Sequence, residues 1–204
     1  KMSISSENKN VEYTKTCHKP KRDNWFNDYQ SISELGISGQ RKIEDRLKYF
    51  NQKDFENSSV IDIGCNIGQM CFQAEKWNAK SVLGIEYDNV AYEKAILLRN
   101  ELNSKVKFEL DDIDNVFFWN SISSVDVSLF LSIFDTQELE NRFGILSKIC
   151  SKTKKVLYFE GHRNVEYDKY IKSILSFTDF SQIEYFGNIE DNRAFIRCTR
   201  DVLT

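Results

Sequence analysis

The chain has 204 residues, of which 41% are hydrophobic and 13% aromatic, which is typical of one globular domain with a substantial core. Its net charge of −3 excludes a general attraction to phosphate backbones, so contact with nucleic acid would need a local basic patch. No apolar run approaches the roughly 18 residues needed to cross a bilayer, and the polar residues 1–10 lack the apolar core of a signal peptide, so we expect a soluble protein.

Cysteine usage indicates a reducing compartment. The five cysteines are widely spaced and odd in number, no pair has C-x-x-C spacing, and the chain has only two histidines. The sequence therefore predicts a reduced, cytoplasmic chain without a metal site.

Two segments are predicted before the main domain. Residues 1–22 form a flexible polar arm with a basic run from Lys15 to Arg22, which is either a solvated tail or a contact for RNA or another anion. Residues 23–54 form a helical extension, in which an apolar stripe predicts a helix from about Gly39 to Asn51. The main domain is expected at residues 55–204.

The most informative stretch is an apolar run that ends in an acid and two glycines. Val60, Ile61 and Ile63 predict a short strand with both faces buried, and the glycines allow a tight turn that a flat ligand can approach. Apolar residues from Met70 to Trp77 then predict a helix whose N-terminus faces the ligand. Strand, turn and helix make one corner for a nucleotide-like ligand.

This turn lacks the dinucleotide pattern. G-x-G-x-x-G would require a glycine in place of Asp62 or Asn66, with a pyrophosphate on the helix N-terminus. A carboxylate at Asp62 would repel a pyrophosphate, whereas it suits a cofactor that carries an ammonium and a sulfonium group. The pattern therefore disfavours an NAD-dependent dehydrogenase.

Strands and helices alternate along the rest of the chain. Further strands are predicted at residues 81–86, 106–110, 125–134, 155–159, 183–186 and 194–198, with helices at 88–103, 139–149 and 167–175. Asp88 is the predicted N-cap of the first of these helices. The last two strands follow each other without a helix between them. This order predicts an α/β fold with a doubly wound, mostly parallel seven-stranded sheet and a C-terminal antiparallel β-hairpin.

The spacing Asp62-x-Gly64-x-Asn66-x-Gly68 resembles motif I of the class I S-adenosylmethionine-dependent methyltransferases, [D/E]-x-G-x-G-x-G. Asn66 departs from the middle glycine, but asparagine tolerates the left-handed conformation well. The resemblance covers about residues 55–200 and implies a Rossmann-like fold, S-adenosylmethionine as methyl donor and S-adenosylhomocysteine as product. The cofactor-binding residues that it implies are Asp62, Gly64, Cys65, Asn66, Gly68, Glu86, Tyr87, Asp112 and Leu131.

Two acids in this set have roles that the resemblance implies. Glu86 follows the turn by about 20 residues and would accept both ribose hydroxyls. Asp112, with Asp111 as the alternative, would accept the adenine amino group, while Tyr87 would cover the adenine face. A solvated loop remains the alternative for each acid, and simple packing for Tyr87.

The stretch Glu160-Gly161-His162-Arg163 is the best candidate for the chemistry. His162 can remove a proton near neutral pH, Glu160 would orient its imidazole or hold an acceptor hydroxyl, and Gly161 would leave space for the substrate. Arg163 is either a contact for an anionic acceptor or a solvated side chain.

Asp135-Thr136 stands where many members of the family have an aromatic or histidine pair. Asp135 is a catalytic candidate, or it caps the following helix together with Glu138. Leu131 and Phe134 are expected to line the methionine or acceptor pocket.

The predicted function is methyl transfer to an oxygen or nitrogen nucleophile of a small molecule or a sugar or glycan precursor. By analogy with the family's N-terminal lids, Trp25, Tyr29, Gln40 and Arg41 would close over the site. Ordinary packing against the core is the alternative for Trp25 and Phe26. A methyltransferase acting on tRNA or another RNA and a non-catalytic adenosyl-binding partner subunit remain as alternatives. The oligomeric state is left open.

Overall fold

The computed structural model describes residues 30, 32, 35–36, 43–137, 139–165, 167–176, 179–189 and 192–201. The predictions for the basic arm, for Trp25, Tyr29, Gln40 and Arg41, and for Glu138 lie outside these residues. No helix within the described ranges is long and apolar enough to cross a membrane.

Strands and helices alternate in the described part of the chain, as expected from the hydrophobic pattern. The strands are β1 (Ser59–Ile63), β2 (Ser81–Glu86), β3 (Lys107–Leu110), β4 (Val125–Leu131), β5 (Thr153–Arg163), β6 (Gln182–Ile189) and β7 (Arg193–Thr199). The helices are α1 (Glu44–Leu47), α2 (Gln69–Lys76), α3 (Asn89–Glu101), α4 (Val116–Ser121), α5 (Arg142–Lys152) and α6 (Tyr167–Ser176), and a 3₁₀ helix spans Gln52–Asp54.

The strands form one sheet in the order β3-β2-β1-β4-β5-β7-β6. Strands β1 to β5 are parallel, whereas β7 is antiparallel to both β5 and β6. The predicted fold class is therefore confirmed. Because parallel strands end on the same side, β1 to β5 all end at one edge of the sheet, which we call the carboxyl edge.

Two hydrophobic clusters cover the two faces of this sheet. Successive strand residues point to opposite faces, so Val60 packs in one cluster and Ile61 in the other. The first cluster includes side chains from α2 and α3, and the second includes side chains from α4, α5 and α6. The sheet is thus covered on both faces, as its apolar strands predict.

Several element boundaries differ from the predictions for local reasons. Helix α1 ends at Leu47 rather than near Asn51, because the Asn51 side chain accepts a hydrogen bond from Lys53 N–H and caps the 3₁₀ helix instead. Strand β4 ends at Leu131, three residues earlier than predicted, because Ser132 has a φ of 62° and leaves the extended conformation. Asp88 caps α3 as predicted, since its side chain accepts the Ala91 N–H at 2.9 Å.

Helix α4 was missed by the sequence analysis. Its first residues, Val116 and Phe117, are 62% and 66% exposed, so their side chains do not follow the core-facing pattern that marks an amphipathic helix. Asn115 caps this helix through a hydrogen bond from Phe117 N–H. The cap was the local signal for it.

Asp54 connects the segment before β1 to strands β5 and β7. Its carboxylate forms a two-pronged ion pair with Arg197 of β7, with Nε–Oδ2 and Nη2–Oδ1 distances of 2.8 Å each. The Tyr158 hydroxyl of β5 donates to the same carboxylate and accepts the Asn51 N–H at 2.9 Å. Burial, followed by the bond to Asp54, raises the pKa of Tyr158 above its ordinary value. This network holds the N-terminal segment on the sheet.

We predict that Asp54→Asn lowers the free energy of unfolding by about 2 kcal/mol, since it leaves the half-buried Arg197 guanidinium with only the exposed carboxylate of Glu184. Denaturant titration measures the change. Glu184→Gln is the matched control, because Glu184 also pairs with Arg197 but is 48% exposed, and we expect a change below about 1 kcal/mol. Equal losses in the two variants would contradict the assignment.

Candidate active site

The turn after β1 is held in a left-handed conformation at three positions. Gly64, Asn66 and Gly68 have φ values of 72°, 54° and 90°. Asn66 therefore adopts the conformation that asparagine tolerates, as predicted. At Gly64, a Cβ atom would lie 2.4 Å from Cδ1 of Ile133 in the loop after β4. The turn and that loop consequently pack against each other over the end of the sheet.

Glu86, at the end of β2, is bonded to this turn. Its Oε2 accepts the Asn66 N–H at 2.8 Å, and its Oε1 accepts the Tyr87 and Asp88 N–H groups at 3.0 and 2.9 Å. Its exposed fraction is only 5%. Burial raises the pKa of Glu86 to about 7, although the three backbone hydrogen bonds oppose the shift. Glu86 is therefore a fixed, buried acid that titrates near neutral pH.

The Asn66 side chain has an unused acceptor. Its Oδ1 is buried and has no hydrogen-bond partner among the described residues. An unsatisfied buried oxygen costs free energy, which a donor from a ligand would recover. The turn thus holds a hydrogen-bond acceptor that no described residue satisfies.

Asp62 lies beneath the same turn and is 4% exposed. The Cys71 thiol of α2 donates to its Oδ2 at 3.4 Å. Burial raises the pKa of Asp62 to about 6, and the Cys71 bond and the charge of Arg46 oppose that shift. The part of the carboxyl edge around the turn after β1 therefore contains two buried acids with raised pKa values.

The remaining predicted cofactor residues lie at the ends of the neighbouring strands. Cys65 is buried within the turn and Leu131 at the end of β4, whereas Tyr87 is half-buried after β2. Asp112 is half-buried after β3, where its Oδ1 accepts the Asp114 N–H at 3.0 Å. Asp111 reaches back to β2 through its N–H, which donates to the Glu86 carbonyl at 3.0 Å. The strand ends thus bring the predicted set to the carboxyl edge.

The N-terminal segment reaches the same edge. Gln30 is 7% exposed, and its Oε1 accepts the N–H of Gln69, the first residue of α2, at 3.3 Å. Arg46 of α1 is 4% exposed, and its Nη1 lies 3.4 Å from Oε2 of Glu160 at the end of β5. Residues that precede β1 therefore contact both the N-terminus of α2 and β5.

Glu160 is bonded on two sides. Its side chain is fully buried, Arg46 pairs with Oε2, and the Ser132 hydroxyl donates to Oε1. Ser132 N–H also donates to the Glu160 carbonyl at 2.8 Å. Glu160 thus holds the loop after β4 and the N-terminal segment together.

His162 is positioned by Tyr170 of α6. The His162 N–H donates to the Tyr170 hydroxyl at 2.9 Å, and that hydroxyl donates to Oδ2 of Asp135. Gly161 does not leave space for a substrate as predicted, because a Cβ there would lie 2.3 Å from the Tyr170 ring. The absent side chain makes room for Tyr170 instead.

Asp135 is the centre of an ion-pair cluster. Its Oδ1 lies 3.4 Å from Arg142 Nη1 and 3.0 Å from Lys169 Nζ. The alternative prediction, that Asp135 caps the next helix, is wrong: α5 begins at Arg142 and Asn141 caps it by accepting the Gly144 N–H. Asp135 instead links the loop after β4 to α5 and α6.

Sequence reasoning missed Arg46, Ser132, Tyr170, Arg142 and Lys169 as parts of the site. Arg46 carried a signal, since it lies three residues after Ile43 and one before Leu47 on the apolar stripe of the predicted helix. A charged residue on such a stripe needs a buried partner. Tyr170 lies in the helix predicted at residues 167–175, and its hydroxyl gives no local signal.

A family model described as "Methyltransferase domain" matches residues 54–188. An uncharacterized protein of Methanocaldococcus jannaschii is 32% identical over 97 residues, which cover 46% of this chain and 43% of that protein. A protein of Arabidopsis thaliana named "Probable RNA methyltransferase" is 34% identical over 71 residues, which cover 34% of this chain and 22% of that protein. The chain thus matches less than half the length of either relative.

Among solved structures, the fold is similar to magnesium protoporphyrin IX methyltransferase from Synechocystis with bound S-adenosylmethionine. The TM-score is 0.59 with 14% identity, over 73% of each chain. The family uses S-adenosylmethionine, which confirms the predicted cofactor. The glycine turn, the strand order and the family match together show that this chain belongs to the S-adenosylmethionine-dependent class I methyltransferases.

Proposed function

We propose that the protein catalyses methyl transfer from S-adenosylmethionine to an oxygen or nitrogen nucleophile of a small molecule or a sugar or glycan precursor. The observation that carries this proposal is the link between the turn and β2: Glu86 accepts the Asn66 N–H, while Asn66 Oδ1 is buried without a partner. The turn and the end of β2 thereby hold a buried carboxylate and an unsatisfied amide oxygen, both of them hydrogen-bond acceptors.

The residues at this edge fit a cofactor that is cationic and rich in donors. Glu86 would accept the ribose hydroxyls, Asp112 the adenine amino group, and Asn66 Oδ1 a further donor of the cofactor. Asp62 would supply negative charge near the ammonium group. We assign the cofactor contacts to Asp62, Gly64, Cys65, Asn66, Gly68, Glu86, Tyr87, Asp112 and Leu131. Bound there, the cofactor supplies an electrophilic methyl group on its sulfonium.

An N-terminal lid is part of the proposal. Gln30 contacts the first N–H of α2, and Arg46 lies near Asp62 and pairs with Glu160, so the extension already reaches both halves of the site. The extension would exclude water from the reacting groups and help to select the acceptor.

His162 is proposed as the base that removes the acceptor proton. Methyl transfer depends chiefly on alignment, and a base adds on the order of 10² to 10⁴ when the nucleophile is a hydroxyl. Tyr170 holds the His162 backbone and, through Asp135, the loop after β4. Glu160 fixes the same loop through Ser132. These contacts would keep donor and acceptor aligned.

We predict that Glu86→Gln weakens S-adenosylmethionine binding on the order of tenfold to a hundredfold, because the ribose loses a charged acceptor. For the wild type, affinity should rise between about pH 6 and pH 8. Hydroxyl donors favour the ionised form of Glu86, whose pKa is about 7 without ligand, so binding releases a proton. Calorimetry in buffers of different ionisation enthalpy measures both effects. A pH profile that is unchanged in the variant would contradict the assignment.

The raised pKa values of the same acids predict how the stability of the cofactor-free protein depends on pH. Asp62 and Glu86 have ordinary pKa values of 3.8 and 4.5, and burial raises them to about 6 and 7 in the folded state. Each acid therefore binds its proton more tightly in the folded state. Its stabilising contribution to the free energy of unfolding is full below about pH 4 and is lost as the pH rises through 7. Thermal unfolding from pH 4 to 8 tests this, with Glu86→Gln expected to flatten the loss.

The acceptor half of the carboxyl edge is the part around the loop after β4 and the end of β5. There we predict that His162→Ala lowers kcat on the order of 10²-fold or more for a hydroxyl acceptor, with little change in the affinity for S-adenosylhomocysteine. Tyr170→Phe keeps the ring and removes the hydroxyl, so it should lower kcat by a smaller factor. Steady-state kinetics combined with calorimetry separate the two effects. An amine acceptor would be indicated by an unchanged rate in His162→Ala.

Incubation with labelled S-adenosylmethionine and a cell extract tests the function itself. Label transferred to a small molecule supports the proposal, and mass spectrometry of the labelled product identifies the acceptor. Binding of the cofactor without transfer to any extract would favour a non-catalytic adenosyl-binding subunit.

An RNA acceptor is the second candidate, and one comparison favours it: the partial match to the Arabidopsis protein named as a probable RNA methyltransferase. The basic run from Lys15 to Arg22 would be its contact. Salt-sensitive binding of tRNA in a gel shift, lost on deletion of residues 1–22, would support this alternative over a small molecule.

A further inference from the structure

Two cations share one carboxylate oxygen at the acceptor half of the carboxyl edge. Arg142 and Lys169 both pair with Oδ1 of Asp135, while the Tyr170 hydroxyl occupies Oδ2. Neither cation pairs with another carboxylate of the described residues. Among the described residues, the cluster therefore carries one positive charge more than its carboxylate neutralises.

The positions of these cations work against stability. Arg142 is the first residue of the 11-residue helix α5, and Lys169 lies in the first turn of the 10-residue helix α6. Helix N-termini carry partial positive charge, so cations there are unfavourable. Asp168 in the first turn offsets this in part in α6, but adjacent residues of a helix do not face each other, so it does not pair with Lys169 there. The preference of helix N-termini for negative charge is thus not met at this cluster.

The two cations face solvent, whereas the carboxylate does not. The side chains of Arg142 and Lys169 are 32% and 52% exposed, and that of Asp135 is 10% exposed. The Arg142 guanidinium also lies 6.0 Å from the ring centre of Phe134 in the loop after β4. An anion arriving from solution would therefore meet the two cations rather than Asp135.

We propose that Arg142 and Lys169 form a subsite for an anionic group on the methyl acceptor, a phosphate ester or a carboxylate. This rests on the proposed function and narrows its acceptor class. A guanidinium binds such a group with paired N–H donors, and an ammonium adds a point charge. The anion would neutralise the surplus charge of the cluster and anchor the acceptor at the loop after β4.

Label transfer tests the chemical class of the acceptor. Wild-type protein is incubated with labelled S-adenosylmethionine and a small-molecule extract, and the products are separated on an anion-exchange resin. We expect the label in the retained fraction. Phosphatase treatment of the extract abolishes it for a phosphate ester and leaves it for a carboxylate. Label confined to the flow-through would overturn the subsite while leaving the methyltransferase function intact.

A double variant tests the residues. Arg142→Gln with Lys169→Gln should lower transfer at limiting extract on the order of tenfold or more, with unchanged affinity for S-adenosylhomocysteine. Lys148→Gln with Lys172→Gln removes the same charge from exposed positions of α5 and α6 and should retain transfer. Equal rates in the two double variants would contradict the proposal.

Inorganic phosphate provides a direct probe that does not depend on catalysis. With S-adenosylhomocysteine bound, phosphate should raise the Tm of the wild type above the value in chloride of equal ionic strength, and this difference should vanish in Arg142→Gln/Lys169→Gln. An equal response in that variant would overturn the subsite. Phosphate stabilisation together with no label in any extract would count against the proposed function and not against the subsite.

Discussion

A buried arginine holds this site together. Arg46 pairs with the fully buried Glu160 of β5, and its charge also acts on Asp62 under the turn after β1. Burying an ion is costly unless it is paired, and loss of one partner leaves an uncompensated charge. Because the cation comes from α1, which precedes β1, this pairing couples the placement of α1 to the turn and to β5.

The carboxyl edge divides into two halves of different charge. Around the turn, Asp62 and Glu86 are buried acids with raised pKa values, which suits a cationic cofactor. Around the loop after β4, the two positive charges of Arg142 and Lys169 exceed the single negative charge of Asp135. Each half therefore presents a charge that a complementary ligand group would neutralise, and the two halves meet where Ile133 packs against Gly64.

Much of the fold was predictable because its signals are local. Three predicted features depend on residues close in sequence, and all appear as expected: the strand before Gly64, the Asp88 cap and the direct succession of β6 and β7. Element ends were less predictable, since Ser132 leaves β4 in a left-handed conformation while bonded to Glu160, 28 residues away. Helix α4 was not predicted because its first residues face solvent.

By itself, the sequence determined the fold class and the methyl donor, because the strand, the glycine turn and the acids at strand ends are read from short spacings. Only the tertiary structure decided which charges are paired. Arg46 meets Glu160 across 114 positions, and Tyr170 meets Asp135 across 35, and no periodicity or spacing encodes such contacts. They arise because parallel strands deliver distant residues to one edge, where burial makes each charge depend on its neighbours.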